Sequence, residues 1–424
     1  MVERLHEKLS NGVEWAVEPV PDRHAVNLKI RLFAGMADEP TERLGLAYLV
    51  QETITKGTER RGGRELSDAF DAIGASQNSW SGRESTNFSC TCLPEFLEEA
   101  LRLHAEFLRT PTFPDESCSV AVELSRQEID GLSDEPRELC DKLLNRQAYG
   151  VKLGRHALGE HSTLDQITRD GMVEFWREHY SAARMQVTLA GPIEVDRVRS
   201  WIEEMFDGFG DSQSTGRESV ALEFDARQTH QQQDTEQEQI GICFPGVSAT
   251  SEEYATQRVM LSVLSGGMSS RLFAEVREKL GLAYYVGAWA EYPRGSGMIH
   301  IAASTTPERC EQTYSTLLRE VNRLGEDLSE EELERGKTGI LARTETRGDL
   351  TSARCSELSG DLFHYGRLVP MEEKLERVRA VTVEDVRRYL RVHPRDRLSV
   401  VTLGPRSLEH STDGGVSADA GENA

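Results

Sequence analysis

The stretch 45–58 combines an apolar stripe with a polar face. Its apolar side chains recur three and four residues apart, which is the spacing of one buried face of a helix. The stripe consists of Leu46, Leu49, Val50, Thr53 and Ile54. The same spacing brings Tyr48, Gln51 and Glu52 to one side, because residues three and four apart are neighbours on a helix. This polar triplet is either an ordinary helix edge at the surface or a candidate site.

The remaining patterns of the first half predict strands and helices along the chain. The predicted strands are 12–20, 25–34, 75–80, 86–92 and 185–190. The predicted helices are 64–73, 94–108, 117–132 and 168–180. Phe88, Cys90 and Cys92 alternate along one strand, which predicts buried thiols on one face of a sheet.

The second half repeats the element order of the first half at an offset of about 207–214 residues. An acidic-capped helix and a strand end in Leu-Ala-Gly-Pro at Pro192, and the same pattern ends in Leu-Gly-Pro at Pro405. The repeat predicts an α+β fold of two homologous α/β-sandwich halves related by a pseudo-twofold. Each half is expected to contain an antiparallel-rich sheet with helices packed on one face.

The composition places boundaries around this repeat. We predict an N-terminal repeat at 1–206, a polar, Gln-rich linker at 207–239, a C-terminal repeat at 240–405 and a disordered tail at 406–424. No apolar run approaches the length of a membrane span, and the N-terminus does not resemble a secretory signal. Seven cysteines without a CxxC pair favour a reduced, cytoplasmic protein.

The net charge narrows the range of partners. The 424 residues carry a formal charge of −23, which argues against nucleic acid and anionic membranes, because phosphate binding requires a surplus of lysine and arginine. A positively charged peptide substrate fits this charge, as do solubility or a saline environment.

The run 45–58 resembles the zinc helix of the insulinase/pitrilysin-like metallopeptidases, a family that includes mitochondrial processing peptidase. That helix carries His-x-x-Glu-His within a Gly-Leu-Ala-His run and is followed by Lys-Gly-Thr. This chain keeps Gly45, Leu46 and Ala47 and the later Lys-Gly-Thr at 56–58. The pattern around Asn78 and the stretch 154–168 also resemble the family, and the resemblance extends to about Pro405.

The residues that would bind zinc in this family are replaced here. Tyr48 and Glu52 stand where the two histidines would be, and Gln51 stands where the general-base glutamate would be. Glu128 lies at the place of the third ligand, a glutamate about 75 residues further on. A phenol, an amide and two carboxylates are a poor zinc set, since catalytic zinc usually takes imidazole nitrogen and an open water position. We therefore expect no bound cofactor; an alternative is Ca²⁺ or Mg²⁺ at Glu52 and Glu128, although both ions require more oxygen ligands.

The second half carries its own candidate site in the run 265–297. A predicted helix with an apolar stripe ends at Gly281, and a predicted strand begins near Tyr284. The stripe consists of Leu272, Phe273, Val276 and Leu280. Arg277 lies in the last helical turn, so it and Tyr284 can project into one space. In a purely structural role, Arg277 would offset the helix dipole and Tyr284 would pack on the sheet with Trp289 and Tyr292. The family resemblance instead implies that Arg277 binds a peptide carbonyl and that Tyr284 helps to hold the tetrahedral oxyanion.

Three functions remain open from the sequence. The first is a zinc-less subunit that forms a heterodimer with a homologue bearing His-x-x-Glu-His, which would hold the zinc. This chain would then supply Arg277 and Tyr284 to a chamber for unfolded peptides, captured by strand addition at a sheet edge near Asn78. The second is a non-enzymatic scaffold, akin to core subunits of respiratory complexes. The third is a peptidase with altered metal ligands.

Overall fold

Strands that are buried over their whole length form the centres of two β-sheets. The structure is a computed structural model, and it describes residues 4–210 and 219–408. The first sheet contains β1 Leu5–Lys8, β2 Glu14–Pro19, β3 Val26–Leu32, β4 Ser76–Ser81, β5 Thr86–Cys92 and β6 Met185–Gly191. The second contains β7 Gln228–Gln232, β8 Glu238–Gly246, β9 Ala283–Glu291, β10 Gly297–Thr305 and β11 Ser399–Gly404.

The five strands of the second sheet follow the same order as five strands of the first sheet, which has β1 as an additional edge strand. The first sheet runs β1-β2-β6-β3-β5-β4 and the second runs β7-β11-β8-β10-β9. In each sheet a single parallel pair, β2 with β6 or β7 with β11, accompanies antiparallel neighbours. Glu14 pairs with Gln186 in the first sheet, and Gln228 pairs with Val400 in the second. Gln228 therefore follows Glu14 by the same number of residues as Val400 follows Gln186. The predicted repeat of two mixed halves is therefore confirmed.

Helices cover the sheets in both halves. The N-terminal helices are α1 Leu46–Thr53, α2 Gly63–Ala72, α3 Leu97–Arg109, α4 Asp115–Gly131, α5 Pro136–Ala148, α6 Gly150–Leu153, α7 His161–Leu164, α8 Arg169–His179 and α9 Val195–Met205. The C-terminal helices are α10 Tyr254–Ser265, α11 Cys310–Asp327, α12 Glu330–Arg347, α13 Thr351–Tyr365, α14 Met371–Ala380 and α15 Val383–Val392. A π-helix occupies Phe273–Lys279. Each half has its own main apolar core between its sheet and this helical layer.

The two halves also exchange one helix each, which the sequence pattern did not indicate. Helix α5 of the first half packs against β8 and β11, and α13 of the second half packs against β2, β3 and β6. The Gln147 side chain at the end of α5 donates to the Ser399 hydroxyl at 2.8 Å, and the Cys355 thiol of α13 donates to the Thr188 carbonyl at 3.1 Å. Each sheet is therefore covered on its second face by the other half.

Two predicted boundaries differ from the structure. Part of the predicted linker forms β7, which occupies in the second sheet the place of β2 in the first. The sequence pattern did not predict β7 because the strand is polar, and an outer strand with exposed faces needs few apolar residues. In the predicted tail, Leu408 is buried in the second core. The rest of that tail, 409–424, lies outside the described residues.

Two further predictions concern the cysteines and the possibility of a membrane-spanning helix. All seven cysteines are buried free thiols, and Phe88, Cys90 and Cys92 enter the first core together, as predicted. Within residues 4–210 and 219–408, no helix has both the length and the apolar character required to cross a membrane.

Candidate functional site

A tight backbone approach and a buried carboxyl group position helix α1. Gly45 precedes the helix with φ of +98°, and a Cβ atom there would lie 3.0 Å from the Leu158 carbonyl oxygen. Glu39 accepts a hydrogen bond from the Ala47 backbone N–H at 2.8 Å, so it caps the helix start. Burial raises the pKa of Glu39 to about 8.

The stretch 154–168 holds the segment that leads into α1. The Arg155 guanidinium donates to the Met36 carbonyl at 2.8 Å, and the Thr163 hydroxyl donates to the Leu44 carbonyl at 2.9 Å. Burial lowers the pKa of His156 to about 4. His161 pairs with Asp130 at 2.9 Å. This part of the family resemblance therefore corresponds to a structural support for α1.

The structure brings together the four side chains predicted from the degenerate motif. The Tyr48 hydroxyl lies 3.4 Å from a Glu128 carboxylate oxygen, which joins α1 to α4. The Gln51 amide donates to Glu52 at 3.0 Å and to the hydroxyl of Ser79 on β4 at 2.8 Å. Ser79 was not predicted, although it follows Asn78 in a strand that the sequence did predict.

Asn78 lies on the outermost strand of the first sheet. Its side chain is exposed, and the residue lies at a sheet edge, as predicted, because β4 is last in the strand order. Consecutive residues of a strand point to opposite faces. Because Ser79 reaches Gln51, Asn78 faces away from the polar cluster on α1. Its role in substrate binding stays a prediction.

Arg277 and Tyr284 form a stacked pair in the second half. The Arg277 guanidinium carbon lies 5.0 Å from the centre of the Tyr284 ring and 4.9 Å from that of Phe273. Tyr284 is 78% exposed, so its hydroxyl is accessible. The sequence placed Phe273 only in the apolar stripe and missed its contact with Arg277; the spacing of four helical residues between them was the available signal.

The helix that carries Arg277 differs from the predicted one. It continues as a π-helix, which widens the turn, and Gly281 follows it with φ of +57°. Leu280, which was assigned to the buried stripe, is 41% exposed. The stripe was derived with α-helical spacing, and a π-helix changes which side chains share a face. At the start of this helix, Arg271 is bound to Asp327 at 2.6 Å and to Glu332 at 2.8 Å.

Family models match both halves of the chain. Residues 15–161 match the model described as insulinase, peptidase family M16, and residues 166–340 match the model described as the peptidase M16 inactive domain. The chain belongs to the insulinase family. The polar cluster on α1 lies in the half matched by the first model, and the Arg277 and Tyr284 pair lies in the half matched by the second.

Relatives and solved structures resemble nearly the whole chain. An "uncharacterized zinc protease" of Rickettsia felis is 27% identical over 89% of this chain and 92% of its own length. A probable mitochondrial-processing peptidase subunit beta of Arabidopsis thaliana is 23% identical over 94% of this chain and 77% of its own length. The peptidase M16 inactive domain from Pseudomonas fluorescens superposes with a TM-score of 0.89 at 20% identity, over 96% of this chain and 100% of that one. A protease from Helicobacter pylori gives 0.89 at 15% identity, over 95% of this chain and 100% of that one.

The polar cluster on α1 does not fit the zinc ion that the family resemblance implies. Burial and the neighbouring carboxylates of Glu52 and Glu128 raise the pKa of Tyr48, which keeps its phenol protonated and a weak ligand. The Gln51 amide is bound to Glu52 and Ser79 and has no basic group that could accept a proton from water. In the part of the chain that the structure describes, no three His, Cys, Asp or Glu side chains converge as a metal site.

Proposed function

We propose that this chain is a zinc-less subunit of an insulinase-family peptidase and contributes a half-site to a partner subunit that bears His-x-x-Glu-His. Arg277 and Tyr284 would bind the substrate and stabilise the transition state in the shared chamber. One observation carries the proposal: the chain retains a preorganised Arg277 and Tyr284 pair but holds a donor set on α1 that does not suit zinc. The metal and the general base would come from the partner.

The geometry of the pair suits the binding of developing negative charge. The Arg277 guanidinium contacts the rings of both Phe273 and Tyr284, at 4.9 and 5.0 Å, and such contacts limit the orientations of its N–H donors. Donors that are fixed before the reaction stabilise an oxyanion without a further cost of reorganisation. The exposed Tyr284 hydroxyl adds a second donor next to the first.

The outer strands support the binding of an extended peptide. The two sheets end in β4 and β9, and β9 begins beside Tyr284. An unfolded peptide that added to either edge would gain main-chain hydrogen bonds, while side-chain contacts would give selectivity. Asn78 on β4 is the first-half residue that we expect at such an edge.

The need for a partner follows from the same asymmetry. The relative from Arabidopsis is described as a subunit, which supports an assembly of homologous chains. The proposal includes a heterodimer, in which the partner subunit would complete the site. It also includes a cytoplasmic location.

The test is a peptidase assay on a library of unstructured quenched peptides. The chain, a homologue with His-x-x-Glu-His from the same source, and the mixture are compared. We expect activity only in the mixture, and Arg277→Ala or Tyr284→Phe should each lower kcat about 10²–10³-fold, the usual effect of losing one oxyanion donor. Arg197→Ala is the matched control, because Arg197 also lies over an aromatic ring, that of Trp201, at 4.8 Å.

Other outcomes would replace the proposal. A complex in which both variants keep full activity would favour the scaffold function, with Arg277 and Tyr284 as structural remnants. Cleavage by this chain alone, with an equimolar bound metal, would instead favour a peptidase that uses Glu52 and Glu128. Size-exclusion chromatography of each mixture shows whether the variants still form the complex.

A further inference from the structure

A cavity of about 440 Å³ lies among four helices of the second half, away from both candidate half-sites. Its walls come from α10, α12, α13 and α14. This volume is within the range of small-molecule sites, about 300–1,000 Å³. Apolar side chains form part of the wall, including the buried Val369, Leu375 and Val378.

The wall of this cavity is rich in positive charge. Its cationic side chains are Arg258, Arg347, Arg354, Lys374 and Arg377, and its anionic side chains are Glu357 and Asp361. Lys374 bridges both carboxylates, at 3.0 Å to Glu357 and 2.5 Å to Asp361. This pairing neutralises much of the negative charge of the wall.

Two of the arginines remain uncompensated. Arg354 pairs with Glu18, and Arg377 pairs with Glu373 at 2.5 Å. Among the described residues, no carboxylate pairs with Arg258 or Arg347. In a chain with a net charge of −23, this cavity is therefore a local site of positive charge.

Arg258 is the better placed of these two arginines. It is half-buried, and its guanidinium lies 5.6 Å from the centre of the Tyr254 ring. Tyr254 in turn contacts the Tyr292 ring at 5.1 Å. A guanidinium held over a ring can present its N–H donors to a carboxylate in a fixed geometry.

Gly360 leaves part of the cavity open. It lies inside α13, where glycine weakens a helix relative to alanine, and it lines the cavity. A Cβ atom at this position would meet nothing within 4 Å. Any larger side chain at Gly360 would therefore extend into the cavity.

We propose that this cavity binds a small organic monocarboxylate with an apolar body. The carboxylate contacts Arg258, and the apolar part lies against Val369, Leu375 and Val378. The proposal is independent of the peptidase function, because it uses neither Arg277 nor Tyr284.

Occupancy of the cavity has a consequence for the connection between the halves. Helix α13 lines the cavity and also packs on the first sheet, where the Arg31 guanidinium donates to the Ser359 carbonyl at 2.6 Å. A ligand that binds only the folded chain stabilises it by mass action. The bound carboxylate should therefore raise the melting temperature of the whole chain.

The experiment is isothermal titration calorimetry of the full chain with decanoate below its micellar concentration. Decan-1-ol and decylammonium are compared, because they keep the chain length and change only the charge. We expect one decanoate per chain and at least tenfold weaker binding of the other two. Arg258→Met should weaken decanoate binding about 10–100-fold, as expected for a lost hydrogen bond to a charged group. Arg335→Met, on α12 outside the cavity, should keep the wild-type affinity.

Gly360→Leu tests the location of the site independently of charge. It should abolish decanoate binding and the rise in melting temperature, with circular dichroism confirming the fold. No decanoate binding to the wild type, equal binding of decan-1-ol, or unchanged binding to Arg258→Met would each overturn the proposal. Wild-type binding by folded Gly360→Leu would overturn it as well; should that variant not fold, Arg258→Met decides.

Discussion

Helices α1 and α10 occupy the same place in the two halves but contact their neighbours in different ways. Helix α1 lies against α4, α8 and β4, and α10 lies against α12, α15 and β9. In the first half, the Tyr48 hydroxyl on α1 lies 3.4 Å from the Glu128 carboxylate on α4. In the second half, the backbones approach so closely that a Cβ atom at Gly336 would lie 2.9 Å from a methyl group of Val263.

This difference shows that the fold does not need a polar cluster between these helices. The second half closes the same helix pair with apolar contacts and with hydrogen bonds from the Ser262 hydroxyl to the Gly336 carbonyl at 3.0 Å and from the Arg343 guanidinium to the Ser262 hydroxyl at 3.4 Å. The polar side chains on α1 are therefore not required for the packing of this helix pair.

The largest expected effect comes from building a metal site in the first half. The triple variant Tyr48→His, Gln51→Glu, Glu52→His introduces the His-x-x-Glu-His motif that the family resemblance implies, beside Glu128, which already lies within reach of position 48. Three good ligands and an open position suit zinc, so the variant should purify with one equivalent and the wild type with much less. Metal analysis after dialysis measures this. Similar zinc contents in the two proteins would show that the wild-type cluster is itself a competent site.

The second effect concerns how each helix begins. The Glu39 carboxyl is buried with a pKa raised to about 8, against about 4.3 in an unfolded chain. Because the folded state holds the proton more tightly, its stabilising contribution is complete below pH 4 and is lost as the pH rises to 8. The Glu39→Gln side chain cannot ionise. The difference in free energy of unfolding between this variant and the wild type should therefore increase in favour of the variant by about 1.4 kcal/mol per pH unit across this window.

Chemical denaturation at pH 5, 7 and 9 measures this gain. Glu253→Gln is the matched control, because Glu253 precedes α10 but pairs with His393 at 2.7 Å on the partly exposed surface. It should show no comparable gain between pH 7 and 9. Parallel curves for Glu39→Gln and the wild type would contradict the burial of an ionisable proton at this position.

The third effect tests the tight contact in the second half. Gly336→Val should lower the free energy of unfolding by about 1–3 kcal/mol, because the added atoms overpack the contact with Val263. Gly339→Ala, one turn further along α12, meets only the Arg343 guanidinium, at an ordinary contact distance of 3.4 Å, and should raise the free energy of unfolding by about 0.4–1 kcal/mol. Thermal unfolding measures both; equal effects of the two substitutions would refute the close approach.

The smallest effect is expected at the corresponding contact in the first half. Tyr48→Phe removes only a 3.4 Å hydrogen bond to the exposed Glu128. It should change the free energy of unfolding by less than about 0.5 kcal/mol, since long and solvated hydrogen bonds contribute little. A loss above 1.5 kcal/mol in denaturant unfolding would mean that the polar cluster is structural after all.

The sequence predicted those features that local patterns encode. The apolar stripe of α1 and the period-two strands each follow from side chains within one segment. The pairing of Arg277 with Tyr284 was also predictable, because a helix, a glycine and a strand fix their separation. The cluster of Tyr48 with Glu128 depended on the family resemblance, since they lie 80 residues apart.

The features that the sequence did not reveal depend on distant parts of the chain. Strand β7 is polar and is defined by its partner β11 rather than by its own pattern. The π-helix Phe273–Lys279 exposes Leu280 against the α-helical pattern, and nothing in its own periodicity indicates the wider turn. The periodicity of α13 does not indicate that this helix packs on the first sheet rather than on the sheet of its own half.

The exchange of α5 and α13 makes each half incomplete as a separate polypeptide. A gene cut between the repeats would leave Ala16 of the first sheet without Leu358 and Leu362, which cover it in the intact chain. The fragment from the second half would likewise lack Leu144, which packs with Val401 and Leu403. The two pieces should therefore fold only when they are produced together.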